Sequence, residues 1–170
     1  MKKIFRYIIL ACMFLMLVAC GKKDSEKAFD EKVKEVKEQV TKNGEEGLES
    51  TKLLAKLFNK ATYKVNKVEE NGDSAQLDVT IKAVNLGKYV NEYIVAATEK
   101  YGENVPADKQ EEFNQFSVDY FTNVLNDKNV EYIETEVDVQ MEKSEEGWII
   151  TNPNDLVSAT LGGAGSLIGL

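Results

Sequence analysis

The dipeptide Asn71-Gly72 lies between two segments in which apolar and polar residues alternate, and this arrangement constrains the fold more than any other feature. Asparagine and glycine both accept the positive φ angles of a type I′ turn, which joins two antiparallel strands directly. Before the turn, Tyr63 and Val65 alternate with polar residues, and Val68 departs from the alternation, which predicts a β-bulge. After the turn, a period of two predicts a half-buried antiparallel strand. Its apolar positions are Ala75, Leu77, Val79, Ile81 and Ala83.

A second hairpin is predicted from residues 130–143 and 148–151, which flank a turn at residues 144–147. In the first of these segments the apolar positions change from even to odd at Tyr132–Ile133, which predicts another bulge. The return strand begins at Trp148, the only tryptophan, and we expect its ring to be buried.

Apolar residues at spacings of three and four predict helices that cover this sheet, including residues 86–100 and 107–126. Asn152-Pro153 begins a last helix, because proline is tolerated at the first helical position, and Gly162-Gly163 ends it. Two hairpins in one four-stranded antiparallel sheet, covered by helices, give an α+β fold. We predict a single domain over residues 26–163, followed by an apolar, glycine-rich tail over residues 164–170. The apolar stripe of the first helix consists of Phe29, Val33, Val36 and Val40.

The N-terminus has the features of an export signal. Lys2, Lys3 and Arg6 form a positive segment, and the 13 residues 7–19 that follow are uncharged and almost wholly apolar. That length is too short for a membrane-spanning helix, which needs about 20 residues, and it fits the hydrophobic part of a signal peptide.

The apolar segment ends in Leu17-Val18-Ala19-Cys20, which resembles the lipobox of bacterial lipoproteins. The resemblance implies that residues 1–19 are a signal peptide, that cleavage falls before Cys20, and that the Cys20 thiol receives a diacylglyceryl group. Residues 20–25 would then form a lipidated tether, and the chain would be held on the outer, extracytoplasmic face of the cell membrane. The alternatives are an ordinary signal peptide in which a cysteine occurs by chance, or a buried apolar N-terminal strand.

The chain is acidic: its formal net charge is −8, and loss of the three basic residues of the signal peptide takes it to −11. There is no histidine, and the only arginine, Arg6, lies in the signal peptide. A surface of this charge repels nucleic-acid phosphates, and it lacks the guanidinium groups that bind phosphate with two hydrogen bonds. We therefore predict no nucleic-acid partner.

Two segments resemble small uncharacterised lipoproteins of Gram-positive and related bacteria. The first covers residues 62–85, with Tyr63-Lys64-Val65 and the Asn71-Gly72-Asp73 turn. The second is Gly147-Trp148-Ile149-Ile150, followed by Leu156 and Gly162. Those lipoproteins are similar to the cystatin-like, nuclear-transport-factor-2-like superfamily. The resemblance implies a cystatin-like arrangement of sheet and helices, but the superfamily contains both enzymes and binding modules, so it does not decide the function.

Aromatic side chains are the candidate ligand-binding residues. In that superfamily ligands often lie between the sheet and the helices, and we predict that an apolar pocket there is lined by Tyr89, Tyr93, Phe116 and Tyr120. Four further aromatic residues could also contribute to it: Tyr63, Phe113, Phe121 and Trp148. The alternative is that these rings fill the core, because aromatic residues at helical spacing are core residues more often than pocket residues.

Catalysis and metal binding are not expected. Without histidine there is no imidazole base, and the one cysteine left after processing would be lipidated, so we predict no enzyme activity, no metal site and no cofactor. The leading hypothesis is a non-enzymatic, lipid-anchored domain that binds an envelope protein or an apolar small molecule. The alternative is an enzyme of the nuclear-transport-factor-2-like superfamily that acts on a small hydrophobic substrate, with Asp119 beside Tyr120 as the candidate acid.

Overall fold

The computed structural model describes residues 22–165, so the predicted signal peptide, Cys20 and residues 166–170 of the predicted tail lie outside the described residues. A 3-10 turn at Ala107–Lys109 leads into the fourth helix. In chain order the helices and strands are α1 (Asp24–Glu46), α2 (Glu49–Lys60), β1 (Thr62–Asn71), β2 (Ser74–Val84), α3 (Leu86–Tyr101), α4 (Gln110–Asn126), β3 (Tyr132–Ser144), β4 (Gly147–Ile150) and α5 (Pro153–Thr160).

The four strands form one antiparallel sheet in the order β1-β2-β3-β4, and five helices pack with it, which confirms the predicted α+β fold. Asn71 and Gly72 form the turn of the first hairpin, where Gly72 has a φ of 62°. Each hairpin contributes one central strand and one edge strand. Helices α1 and α5 lie against the sheet, and α2 packs along α1.

The strand register confirms one of the two predicted bulges. The pairing of β1 with β2 shifts between Val65 and Lys67, as the break in alternation at Val68 predicted. The predicted bulge at Tyr132–Ile133 is wrong, because β2 and β3 pair without a shift from Ser74–Glu142 to Val84–Tyr132. Tyr132 stays on the solvent face, 39% exposed, with the Lys82 ammonium 5.5 Å from its ring centroid. Because a lysine covers the Tyr132 ring, this aromatic residue is stable on the solvent face of the sheet. Its place in the sequence pattern therefore does not indicate a shift in strand register.

One face of the sheet is buried and carries the main core. Phe29 of α1 and Ala159 of α5 pack on it, and Trp148 is only 8% exposed, which confirms its predicted burial. A second cluster lies at the end of the sheet where β2 leads into α3, and it includes Ala164, the first residue of the predicted tail. The buried strand residues of the main core are Ala75, Leu77, Val79, Ile81, Ala83, Val137, Val139, Met141 and Trp148.

Helix α5 begins at Pro153 and is followed by Gly162 and Gly163 at positive φ, as the sequence predicts. Glycine is required at position 162, because a Cβ atom there would lie 1.8 Å from the Val84 carbonyl oxygen. This close approach brings the end of α5 against the start of α3, where the Gly87 amide donates to the Gly162 carbonyl at 3.0 Å.

Helix α1 is attached to the sheet at its first turn by a carboxylate from β1. Its N-cap residue, Lys23, makes no side-chain cap, and Glu70 supplies the missing acceptor. The Glu70 carboxylate accepts hydrogen bonds from the Ser25 hydroxyl at 2.6 Å and from the Ser25 amide at 3.2 Å. Ser25 is fully buried. A carboxylate is favoured at this position because the free amides and the dipole of a helix N-terminus attract negative charge.

We predict that Glu70→Ala lowers the free energy of unfolding by about 1–2 kcal/mol, the usual cost of losing an N-cap and a hydrogen bond to a charged group. Urea denaturation of the chain from residue 21 onward measures this value. Glu69→Ala is the matched control, because Glu69 lies on the exposed face in an ion pair with Lys67. The Glu69 variant should unfold close to the parent midpoint. Equal midpoints for the two variants would contradict the assigned role of Glu70.

Candidate functional site

An apolar cleft of about 160 Å³ opens between helices α1 and α5 on the core side of the sheet. Tyr63, Ile81 and Ile150, from three different strands, form its floor. Nearly all of its lining surface is apolar. The walls come from α1, from the end of α2 and the first residue of β1, and from α5, and consist of Phe29, Lys32, Val33, Val36, Lys37, Phe58, Ala61, Thr62, Pro153, Leu156, Val157 and Thr160.

The apolar stripe of α1 connects the core to the mouth of the cleft. Phe29 is fully buried and Val33 is half-buried, whereas Val36 is 46% exposed although it belongs to the same stripe. Exposure therefore rises from Phe29 to Val36, and Val40, one turn further along the stripe, is half-buried again. Leu156 and Val157 on α5 are half-buried on the opposite wall. An apolar ligand in the cleft would remove these side chains from water, which is favourable in proportion to the area covered.

The floor carries one hydroxyl group with a defined position. The Tyr63 hydroxyl donates to Asp30 Oδ1 at 3.1 Å, and the Tyr63 ring packs edge-on against Phe29 with centroids 5.4 Å apart. Burial raises the pKa of Tyr63, and the bond to Asp30 raises it further, so the phenol is protonated at neutral pH. Tyr63 therefore adds a fixed ring to the cleft without adding a charge.

Lys37 of α1 contributes a partly buried ammonium group to the cleft wall, next to the C-terminal end of α2. Its Nζ atom donates to the Ala61 carbonyl at 2.5 Å, which satisfies a carbonyl at the helix C-terminus. Burial lowers the pKa of Lys37. The other lysine of the wall, Lys32, is paired with Glu35 at 3.1 Å. No carboxylate is among the residues that line the cleft in the described part of the chain. The arrangement is suited to hold an apolar group, and the carboxylate nearest to the floor, Asp30, is bound to the Tyr63 hydroxyl.

The four residues predicted to line a pocket lie elsewhere, on α3 and α4. Three of them meet in the seam between these helices: the Tyr93 ring is 5.9 Å from Phe116 and 5.4 Å from Tyr120, centroid to centroid. The Tyr93 hydroxyl shares a 2.5 Å hydrogen bond with Ser117. Tyr89 lies one turn earlier, and its hydroxyl accepts from the Glu131 amide at 2.9 Å. None of the four lines the cleft between α1 and α5, and a ligand pocket at these rings stays a prediction.

The candidate acid of the enzymatic alternative, Asp119, is exposed on α4, where it accepts a hydrogen bond from Gln115 at 2.8 Å. Of the residues that line the cleft, only Tyr63 is among the aromatic residues that the sequence offers for a pocket. The spacing of Phe29, Val33 and Val36 was visible, but it predicted only a buried helix face. An apolar helix face forms a cleft when the neighbouring elements cover it incompletely, and a core when they cover it fully. The residue pattern of α1 alone does not show how far its neighbours cover it.

Comparison with models of known protein families, with curated proteins and with solved structures found no match to this chain. Within residues 22–165, no three His, Cys, Asp or Glu side chains are grouped so that they could hold a metal ion. No helix in the same range is both long enough and apolar enough to cross a bilayer.

Proposed function

We propose that this chain is a lipid-anchored domain on the extracytoplasmic face of a bacterial cell membrane, where it binds an apolar ligand without converting it. The observation that carries the binding role is the apolar cleft between α1 and α5, with Val36 exposed at its mouth. The anchoring role rests on the positive N-terminal segment, the short apolar segment and the lipobox-like Leu17-Val18-Ala19-Cys20.

The cleft favours a neutral apolar ligand or a neutral head on an alkyl chain. A cavity of about 150 Å³ with apolar walls accepts a molecule the size of benzene, so a cleft of about 160 Å³ has room for one ring or a short stretch of alkyl chain. The rest of a longer ligand would leave through the mouth beside Val36. An anionic ligand is disfavoured, because the processed chain carries a net charge of −11 and because Lys32 and Lys37 already have partners.

Lipidation predicts a clear effect of one substitution. In Cys20→Ser the thiol that receives the diacylglyceryl group is absent, so the chain should either be released into the medium or accumulate as an unprocessed precursor that keeps residues 1–19. Cell fractionation followed by the intact mass of the chain measures both outcomes. Cys12→Ser, within the predicted signal peptide, is the control and should be processed like the parent. A Cys20→Ser chain that is processed and membrane-bound like the parent would contradict the proposed anchor.

Ligand binding predicts a rise in thermal stability. With 1-decanol as the probe, a free concentration of 100 times Kd should stabilise the chain by about 2.7 kcal/mol. For a domain of this size that corresponds to a rise in Tm of roughly 5–10 °C. Differential scanning fluorimetry of the chain from residue 21 onward measures the shift.

Two matched variants locate the binding site. Val36→Glu places a charge at the mouth of the cleft and should remove most of the shift. Val95→Glu makes the same change on α3, at a residue that is 58% exposed and outside the cleft lining, and should retain the shift. An unchanged shift in Val36→Glu, or no shift in the parent chain, would refute binding in the cleft.

A further inference from the structure

The first described residues are bound to the rest of the fold and do not form a free tether. The Lys23 ammonium donates to the Val68 carbonyl at 2.9 Å, and Ser25 is fully buried against Glu70. The Lys22 ammonium is paired with the Asp30 carboxylate, and its Nζ atom is also 3.5 Å from Glu26 Oε1. Residues 22–25 were predicted to belong to a tether, but these contacts fasten them to α1 and β1.

Covalent geometry then limits how far the domain can lie from a lipid on Cys20. Only Gly21 separates Cys20 from Lys22, and two residues span at most about 7 Å. That distance is less than the diameter of one helix. The end of the domain that carries Lys22 and Lys23 must therefore lie close to the bilayer surface.

The strand pairing shows which end of the sheet lies next to Lys22 and Lys23. Glu70 is one residue from the end of β1, so the start of α1 lies beside the turn of the first hairpin. The second hairpin turns at the same end, since Ser144 pairs with Gly147 and the Lys143 amide donates to the Asp73 carbonyl at 2.8 Å. The opposite end carries the Val84–Tyr132 pair and the loop before β3. The 11 residues of β2 separate the two ends by about 35 Å.

We propose that the domain stands upright on the lipid surface, with both hairpin turns facing the bilayer and the opposite end of the sheet directed away from it. This inference rests on the proposed lipidation of Cys20. Val36, at the mouth of the cleft, is 13 residues along α1 from Lys23, so the cleft opens about 20 Å along that helix from the anchored end.

Charge attraction is not what holds this orientation. Lys22 and Lys27 are paired with Asp30 and Asp24 within the domain, and the two turns themselves carry the acidic residues Asp73, Glu145 and Glu146. These acidic residues repel anionic headgroups. The short tether therefore keeps the end with the hairpin turns at the bilayer, and the acidic surface disfavours further contact; this placement should be the same on neutral lipid and at high salt.

The test uses the full lipidated chain, extracted from bacterial membranes and reconstituted in phosphatidylcholine vesicles that contain nitroxide-labelled headgroups. Cys12 and Cys20 are the only cysteines, so a single added cysteine in the lipidated chain is the one reactive thiol. A fluorophore is attached to Asp73→Cys, at the first hairpin turn, or to Lys128→Cys, in the loop at the opposite end; both positions are exposed. We expect strong quenching at position 73 and little at position 128, at low and at high salt. Equal quenching, or stronger quenching at position 128, would overturn the proposal.

A long-tether variant separates tethering from adsorption. Ten Gly-Ser residues inserted between Gly21 and Lys22 have an r.m.s. span of about 16–19 Å. Quenching at position 73 should fall by at least half in this variant while the chain stays vesicle-bound. If quenching is unchanged, the domain adsorbs to lipid by itself and the proposal is wrong. A chain that is not lipidated and does not bind vesicles would refute the proposed anchor together with this inference, whereas a lipidated, bound chain with equal quenching refutes the orientation alone.

Discussion

Burial of one face of β2 is the constraint on which the rest of the structure depends. This strand lies between β1 and β3, and Leu77, Val79 and Ala83 on its inner face are shielded from water almost completely. Because side chains alternate along a strand, a slip of one residue in either pairing would move this entire set into solvent. The long pairing with β3 therefore runs without interruption, and the irregularity in the sheet occurs at the outer strand β1.

The cleft follows from the way in which this face is covered. Glu70 fastens the first turn of α1 to β1, Phe29 fills the core below it, and α5 covers the sheet from the other side. Beyond Phe29, α1 packs along α2, and Val36 faces the opening. The space between α1 and α5 over the floor at Tyr63 is lined by apolar side chains that neither helix covers. An apolar ligand in this gap would be held in proportion to the apolar area that it covers.

The sequence contains most of the information for the fold, because turns and alternation are local properties. Asn71-Gly72, Pro153 and Gly162 each require a particular backbone conformation, and they delimit the elements where predicted. The error at Tyr132 arose because a lysine from the neighbouring strand covers its ring, a contact between residues distant in the sequence. The capping role of Glu70 was missed for the same reason, since it joins β1 to a helix 45 residues earlier. The cleft could not be predicted either: Val36 continues the apolar spacing of Phe29 and Val33, and its exposure depends on how the sheet and the other helices are placed around α1.

Methyl NMR spectroscopy of the chain from residue 21 onward, titrated with 1-decanol, tests the central claim most directly, because it separates the cleft from the aromatic seam of α3 and α4. If the ligand binds in the cleft, the methyl resonances of Val33, Val36 and Leu156 shift with ligand and saturate together. The ring resonances of Tyr93 and Phe116 should stay in place. Shifts confined to those rings, or a titration that leaves the cleft methyl groups unchanged, would contradict the claim that the gap between α1 and α5 is the binding site.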